Sequence, residues 1–359
     1  MISDGLGLCL RCIREKPDDA LQESLKVHTE SRSQFGLPSF PPNDSEGIAC
    51  GICMNKCRIG LGKRGFCGLV SNIDGRLTRF GGTPERGILE WYYDPLPTNC
   101  VAWWFCAGCT GLGYPKYAYK AGAEIGYSNL AVFYGGCSFD CLFCQNWHYR
   151  VLSSKLEPVV SAEGLAAKAH DTVSCICYFG GDPSPQMPHA LRTSEIALEK
   201  ARDEGRILRI CWESNGYMNE AFAGSAARLS FESGGTVKFD IKTFNETLNQ
   251  VLCGVSNKPT LDSFRRIGEK FFRDRLEPPV LTASTLLIPG YIDAEEVGRI
   301  ANFLAGIDPK IPYTLLAFYP QYVMHDLPPT SRQLALECFE VAKKAGLERI
   351  KLGNVHLLS

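Results

Sequence analysis

SNLAVFYGGCSFDCLFCQNW, residues 128–147, joins two signals in one short stretch. Its first part, SNLAVFYG, is an apolar run with β-branched and aromatic residues. It reads as a strand buried on both faces. Its second part spaces Cys137, Cys141 and Cys144 as C-x3-C-x2-C, and the next cysteine is Cys175. Thiolates this close can converge on one metal centre. A four-iron cluster is usually held by four thiolates. Three in one loop leave one iron open to a substrate or cofactor. Because the loop follows a strand, it belongs at the carboxyl end of the sheet, where α/β folds bind their ligands.

Similar apolar runs recur at 173–179, 207–212, 236–241, 280–287, 313–318 and, more briefly, 349–352. Helical patterns separate them, at 161–170, 187–204, 218–231, 260–274, 294–306 and 331–345. The alternation predicts an α/β fold of parallel strands covered by helices. A doubly wound open sheet and a full or partial barrel both satisfy it. Residues 1–127 have a different texture. Gly, Pro and Cys are frequent, and only a short stretch near 18–31 has helical periodicity. GLPSFPPNDSEG (36–47) reads as a linker or loop. The aromatic-rich residues 86–119 read as a wrap over a larger domain.

The bulk numbers narrow the class. A 45% apolar content supports a full core, and a formal net charge of −1 advertises neither nucleic acid nor an anionic membrane as partner. The opening MISDGLGLCL lacks the basic segment and long apolar run of a secretory signal. No run approaches the ~20 apolar residues of a membrane helix. The expectation is a soluble cytoplasmic protein. Seventeen cysteines in such a chain point to metal ligation rather than a disulfide framework. Cys175, Cys177 and Cys211 lie in strand-like runs and read as buried structural thiols.

The cluster loop resembles that of the radical S-adenosylmethionine (radical SAM) superfamily, C-x3-C-x-aromatic-C, with Phe143 as the aromatic residue. The similarity continues at later strand ends. FGGDP (179–183) resembles the family's Gly-Gly-Glu-Pro segment, with Asp182 one methylene shorter than the usual acid. CWESNGYM (211–218) and KFDIKTF (238–244) resemble segments of the pyruvate formate-lyase activating enzyme group. LIPG (287–290), AFYPQY (317–322) and GNVH (353–356) resemble its late segments, and CQNW (144–147) is similar to a branch that includes the AmmeMemoRadiSam-type proteins. The resemblance spans roughly residues 125–356.

It implies a partial (β/α)6 TIM-type barrel over 128–359, with a cysteine-rich irregular region over 1–127 covering one end. It implies a [4Fe–4S] cluster on Cys137, Cys141 and Cys144, with S-adenosylmethionine on the open iron. Phe143, Gly180, Gly181, Asp182, Glu213, Ser214, Asn215, Asp240 and Lys242 become candidate cofactor contacts. Reductive cleavage of S-adenosylmethionine would then yield a 5′-deoxyadenosyl radical that abstracts hydrogen from a protein, peptide or other substrate. An electron donor such as flavodoxin or ferredoxin is the implied partner. A methyl- or group transferase on peptide, RNA or small molecule, and a non-enzymatic iron–sulfur or zinc scaffold, are the rival readings.

A second thiol set is Cys50, Cys53, Cys57 and Cys67, spaced C-x2-C-x3-C-x9-C. Four thiolates among glycine-rich turns suit zinc, a single iron or an auxiliary cluster. Cys9 and Cys12 can pair equally well with Cys50 and Cys53. Lys56, Arg58, Lys63 and Arg64 nearby form a solvated basic face or a dock for the electron donor. Cys100, Cys106 and Cys109 have no evident fourth partner. Three tyrosines of GYPKYAY (113–119) read as packing. His148, His325 and His356 are expected near the barrel mouth, His325 foremost.

Overall fold

A computed structural model describes residues 1–359. Nine strands form one sheet. In chain order these are β1 (Gly87–Pro95), β2 (Ser128–Tyr134), β3 (Val159–Val160), β4 (Val173–Gly180), β5 (Arg209–Ser214), β6 (Val237–Asp240), β7 (Leu281–Leu287), β8 (Tyr313–Ala317) and β9 (Ile350–Gly353). The spatial order is β9-β8-β7-β6-β5-β4-β2-β1-β3. From β2 to β9 every pairing is parallel, as expected where helices connect successive strands. The β1 strand runs antiparallel to β2 and carries the short β3 on its other side.

The α/β barrel expected from the sequence is present as this parallel-dominated sheet. It has one parallel strand more than the six β/α units anticipated, because the brief apolar run at 349–352 pairs with β8 over four residues. The antiparallel edge is supplied by residues 87–95, inside the stretch read as an irregular wrap.

The α-helices of six or more residues are α1 (Leu10–Glu15), α2 (Pro17–Ser33), α3 (Tyr149–Lys155), α4 (Met187–Asp203), α5 (Glu220–Ser233), α6 (Glu246–Cys253), α7 (Lys258–Ile267), α8 (Ala294–Ile307) and α9 (Arg332–Lys344). Their starts are chemically marked. The side chains of Asn219, Asn245, Asp293 and Ser331 each accept a hydrogen bond from a first-turn backbone N–H. Strand residues alternate between two layers. On the outer face the Tyr134 hydroxyl meets His189, Tyr178 meets Ser194, and the Trp212 indole donates to Ala226 O. These contacts lock β2, β4 and β5 to α4 and α5. The residues between them point into the barrel.

One apolar core of 71 buried residues runs from Leu6 to Leu347. The cysteine-rich region therefore shares the core of the barrel. No helix is long and apolar enough to cross a membrane.

Candidate active site

The loop after β2 turns at Gly136, whose φ of 93° favours glycine. It then runs buried from Cys137 to Phe143. A buried loop needs partners for its backbone. The end of α6 supplies them: Asp140 N donates to Cys253 O at 2.8 Å and Leu142 N to Leu252 O at 3.0 Å. On the other side, Val323 N donates to Leu142 O at 3.0 Å.

The loop's main anchor is Asp140. Its carboxylate is fully buried and accepts from Arg150 Nε at 3.1 Å, and it lies 2.9 Å from His28 Nδ1. Ser31 Oγ donates to it at 3.1 Å, and Arg32 lies 3.5 Å away. Burial alone would raise its pKa. Arg150, His28 and Arg32 outweigh that and hold it well below the usual carboxylate range. Arg32 in turn stacks on Phe66, its guanidinium carbon 3.6 Å from the ring centroid. Thus α2 and the cysteine-rich region grip the cluster loop through one anion. The sequence reading missed this hub, because Asp140 sits among the cysteines while three of its partners lie about a hundred residues upstream.

All twelve residues named as cluster or cofactor contacts line a single cleft of about 820 Å³. Cys137, Cys141, Phe143 and Cys144 come from the loop. Gly180, Gly181 and Asp182 follow β4, Glu213, Ser214 and Asn215 end β5, and Asp240 and Lys242 end β6. Phe139, Gln145, Asn146, Tyr149, Phe179, Leu286 and Leu316 complete the wall. The three thiols line the cleft at separate positions of its wall. Such an arrangement suits a cluster that offers each thiolate a different corner.

Hydrogen bonds to sulfur and cationic neighbours tune such a centre. Phe139 N donates to Cys137 Sγ at 3.3 Å, and Asn215 Nδ2 approaches the same sulfur at 3.6 Å. The sulfur of Cys253, at the end of α6, lies 3.5 Å from Cys141 Sγ. The hydrogen bond between the two sulfurs lowers the Cys141 pKa against burial, with help from Lys242 and Arg150. Burial raises the Cys137 thiol well above the ordinary value.

The polar strand ends divide their roles. Asp182 accepts from Ser184 N and Asn215 N, both at 2.7 Å, and from Ser214 Oγ at 3.0 Å. Its short side chain is spent on tying the end of β4 to the end of β5. Burial still raises its pKa. Gly181 must be glycine for contact: a Cβ there would lie 2.2 Å from Gly136 O. The Gly-Gly pair therefore lets β4 approach the cluster loop, to which Asp182 N bonds through Gly136 O at 3.0 Å. Lys242 Nζ lies 2.7 Å from Asp240 and 5.9 Å from the Phe143 ring centroid. Burial opposes its charge, but Asp240 and Cys141 raise its pKa, and Lys242 lowers that of Asp240 in return. Glu213 pairs with the buried Lys238 at 2.7 Å.

Beside the loop, Cys50, Cys53, Cys57 and Cys67 line a second pocket of about 400 Å³ together with Arg79. Arg79 Nη1 is 3.5 Å from Cys50 Sγ. Burial pushes Cys67 up to about 12. Asn55, inside this set, donates to Ser138 O of the cluster loop at 2.8 Å. Cys9 and Cys12 do not join it. Their sulfurs sit 3.2 Å apart at the start of α1, with Cys12 exposed. The pairing of these two with Cys50 and Cys53 is therefore not what the structure assembles.

None of the three candidate histidines lines the cleft. His148 stacks on Phe133 at 4.2 Å between centroids, His325 bonds Tyr322 O at 2.9 Å, and His356 lines a groove with Trp103. The tyrosines of 113–119 lie at the opposite, amino-terminal end of the barrel. There Tyr119 stacks on Tyr127 at 4.5 Å and its hydroxyl accepts from Ile207 N.

Residues 131–304 match the family model of the radical SAM superfamily. An uncharacterized protein of Methanocaldococcus jannaschii is 24% identical over 319 residues, which span 87% of this chain and 83% of that protein. A putative glycyl-radical enzyme activating enzyme of the same organism is 28% identical over 185 residues, 51% of this chain and 64% of its own length. Among solved structures, a domain of pyruvate-formate lyase-activating enzyme from Bacteroides vulgatus aligns with a TM-score of 0.38 at 20% identity, covering 50% of this chain and 98% of that one. Streptococcus suis SuiB bound to S-adenosylmethionine aligns with a TM-score of 0.44 at 13% identity, covering 62% and 49%.

Proposed function

We propose that this chain, which matches the radical SAM superfamily model through residues 131–304, is an activase-like radical SAM enzyme acting on a protein or peptide. The observation that carries the reading is the single cleft that gathers Cys137, Cys141 and Cys144 with the ends of β4, β5 and β6. The three thiols would hold a [4Fe–4S] cluster. The Gly180–Gly181 backbone, Glu213, Ser214, Asn215, Asp240 and Lys242 would hold S-adenosylmethionine. With both bound, one-electron reductive cleavage of S-adenosylmethionine supplies the power to remove a hydrogen atom from substrate.

The chain's own contribution is preorganisation. Asp140 fixes the loop, Asp182 fixes Asn215 beneath Cys137, and the Asp240–Lys242 pair sets a charged wall. The apolar side chains of Phe139, Phe179, Leu286 and Leu316 limit water at the reacting end. The activase-like relative in Methanocaldococcus jannaschii supports a protein substrate. The Cys50, Cys53, Cys57 and Cys67 pocket would hold an auxiliary iron–sulfur cluster. Its contact with the cluster loop through Asn55 supports a role in delivering the electron, with a low-potential protein such as flavodoxin or ferredoxin as donor.

The test is anaerobic. The reconstituted protein, given S-adenosylmethionine and dithionite, should form 5′-deoxyadenosine and methionine. Cys141→Ala should reduce that to background. An intact cluster with no 5′-deoxyadenosine in any condition, cell extract included, would sink the reading.

A further inference from the structure

The amino-terminal mouth of the barrel is closed by residues 96–127. Trp104 Nε1 donates to Thr314 Oγ1 at 3.2 Å, which itself donates to Val101 O at 3.1 Å. Arg209 is bound to Glu124 at 2.6 Å and donates to Tyr117 O at 2.8 Å. This plug carries Cys100 and Cys106 into the barrel. There they meet thiols from the strands. Side chains on a strand alternate faces, so Cys175 and Cys177 of β4 point inward while Ile176 and Tyr178 face the helices. Parallel register sets Cys211 of β5 directly beside Cys177.

The result is a small chamber lined by Cys100, Cys106, Cys175, Cys177 and Cys211, with Lys238 in its wall. Five of the chain's 17 cysteines thus converge from three separate segments. A barrel interior is ordinarily filled by branched apolar side chains, and here five thiols stand in their place. Lys238 is the second observation. It is 3% exposed, and its Nζ lies 3.1 Å from Cys177 Sγ and 2.7 Å from Glu213. A buried ammonium needs anionic partners. Glu213 is one, and a thiolate at Cys177 would be another. Cys175 is otherwise engaged, 3.3 Å from Asn129 Oδ1.

We propose that this chamber is a further iron–sulfur site, with Cys100, Cys106, Cys177 and Cys211 as ligands and Lys238 as counter-charge. Thiols that surround a space from three segments suit a cluster, which offers each ligand its own corner. Glu213 belongs to both compartments: it lines the cofactor cleft and pairs with Lys238 of the chamber. The site is independent of the activase reading, because it would remain whatever the substrate is.

The full-length chain tests it. Replace Cys50, Cys53, Cys57, Cys67, Cys137, Cys141 and Cys144 by alanine together, reconstitute anaerobically, and desalt. About four iron and four sulfide per chain should remain. Adding Cys106→Ala and Cys177→Ala should remove both. A folded variant, judged by circular dichroism, that keeps no iron overturns the proposal. So does iron indifferent to those two substitutions, or one zinc without sulfide, or a Cys100–Cys106 disulfide in anaerobically purified protein. Should the multiple variant misfold, wild type and Cys177→Ala decide the matter by Mössbauer counting. Wild type should carry one cluster more than Cys177→Ala, and equal counts overturn the site. Lys238→Met should make the remaining cluster harder to reduce, which a merely structural lysine would not do.

Discussion

Asp140 shows how much one carboxylate can govern. It faces His28, Arg32 and Arg150 inside the protein. Asp140→Asn keeps the shape but leaves those groups without their anion. Stranding buried charges in this way costs roughly 3–5 kcal/mol. The urea midpoint should fall accordingly, and the Cys137–Cys144 loop should lose iron faster on dilution. His189 gives a complementary prediction. Burial lowers its pKa from 6.5 to about 4 while it bonds Tyr134 and Val160 O. Between those values the unfolded chain takes up a proton that the folded chain refuses. The neutral imidazole's stability is therefore full above pH 6.5 and is lost as pH falls toward 4, by up to about 3 kcal/mol. The stability advantage of wild type over His189→Gln should shrink between pH 6.5 and 5. A constant difference across that window would remove the assignment.

At the scale of elements, the β4 end and the cluster loop behave as one unit. Gly181→Ala would drive a Cβ to 2.2 Å from Gly136 O and 2.7 Å from the Tyr149 ring. Both neighbours are rigid, so overpacking of this kind should destabilise by about 1–3 kcal/mol. Cluster retention should suffer more than global stability, measured as iron content against thermal midpoint. The strands around this unit were legible because doubly covered strands leave uninterrupted apolar runs. Each run that the sequence offered became a strand, with ends shifted by a few residues. Several short or half-exposed elements were not legible, and two of them show different reasons. The β1 strand, at the sheet's antiparallel side, keeps Tyr92 and Tyr93 exposed, so it carries no continuous apolar signal. The α6 helix spans only Glu246–Cys253, too short for its period to stand out, although Asn245 and Gly254 mark its two ends. The cleft residues could be read because each sits in a compact motif at a strand end. The chamber of Cys100, Cys106, Cys177 and Cys211 could not, since only closure of the barrel brings plug and strands together.

For the whole molecule, the thiol-lined spaces form a layout: the cofactor cleft at the carboxyl end, the Cys50–Cys67 pocket against its loop, and the chamber at the amino-terminal end. An electron donor would approach where the Cys50–Cys67 pocket nears the surface. Three of its basic residues are held in place. Arg58 donates to Asp44 O and Ser45 O, Arg64 to Gly68 O and Ser153 O, and Lys63 pairs with Asp44 at 3.3 Å. Lys56 is exposed on a turn with φ 47°. Fixed surface charge of this kind steers an acidic partner and is screened by salt, with a Debye length of about 10 Å at 0.1 M. Reversing one charge should act on encounter rather than on chemistry. Lys56→Glu is expected to lower kcat/KM for a flavodoxin-type donor by roughly 3- to 10-fold at low salt, with the gap to wild type closing as salt is raised. Dithionite, a small reductant that needs no docking surface, should drive both proteins to form 5′-deoxyadenosine at the same rate. Equal kinetics with the protein donor would place its dock elsewhere on the molecule, whereas equal losses with both reductants would show that Lys56 acts on the loop below it and not on a partner.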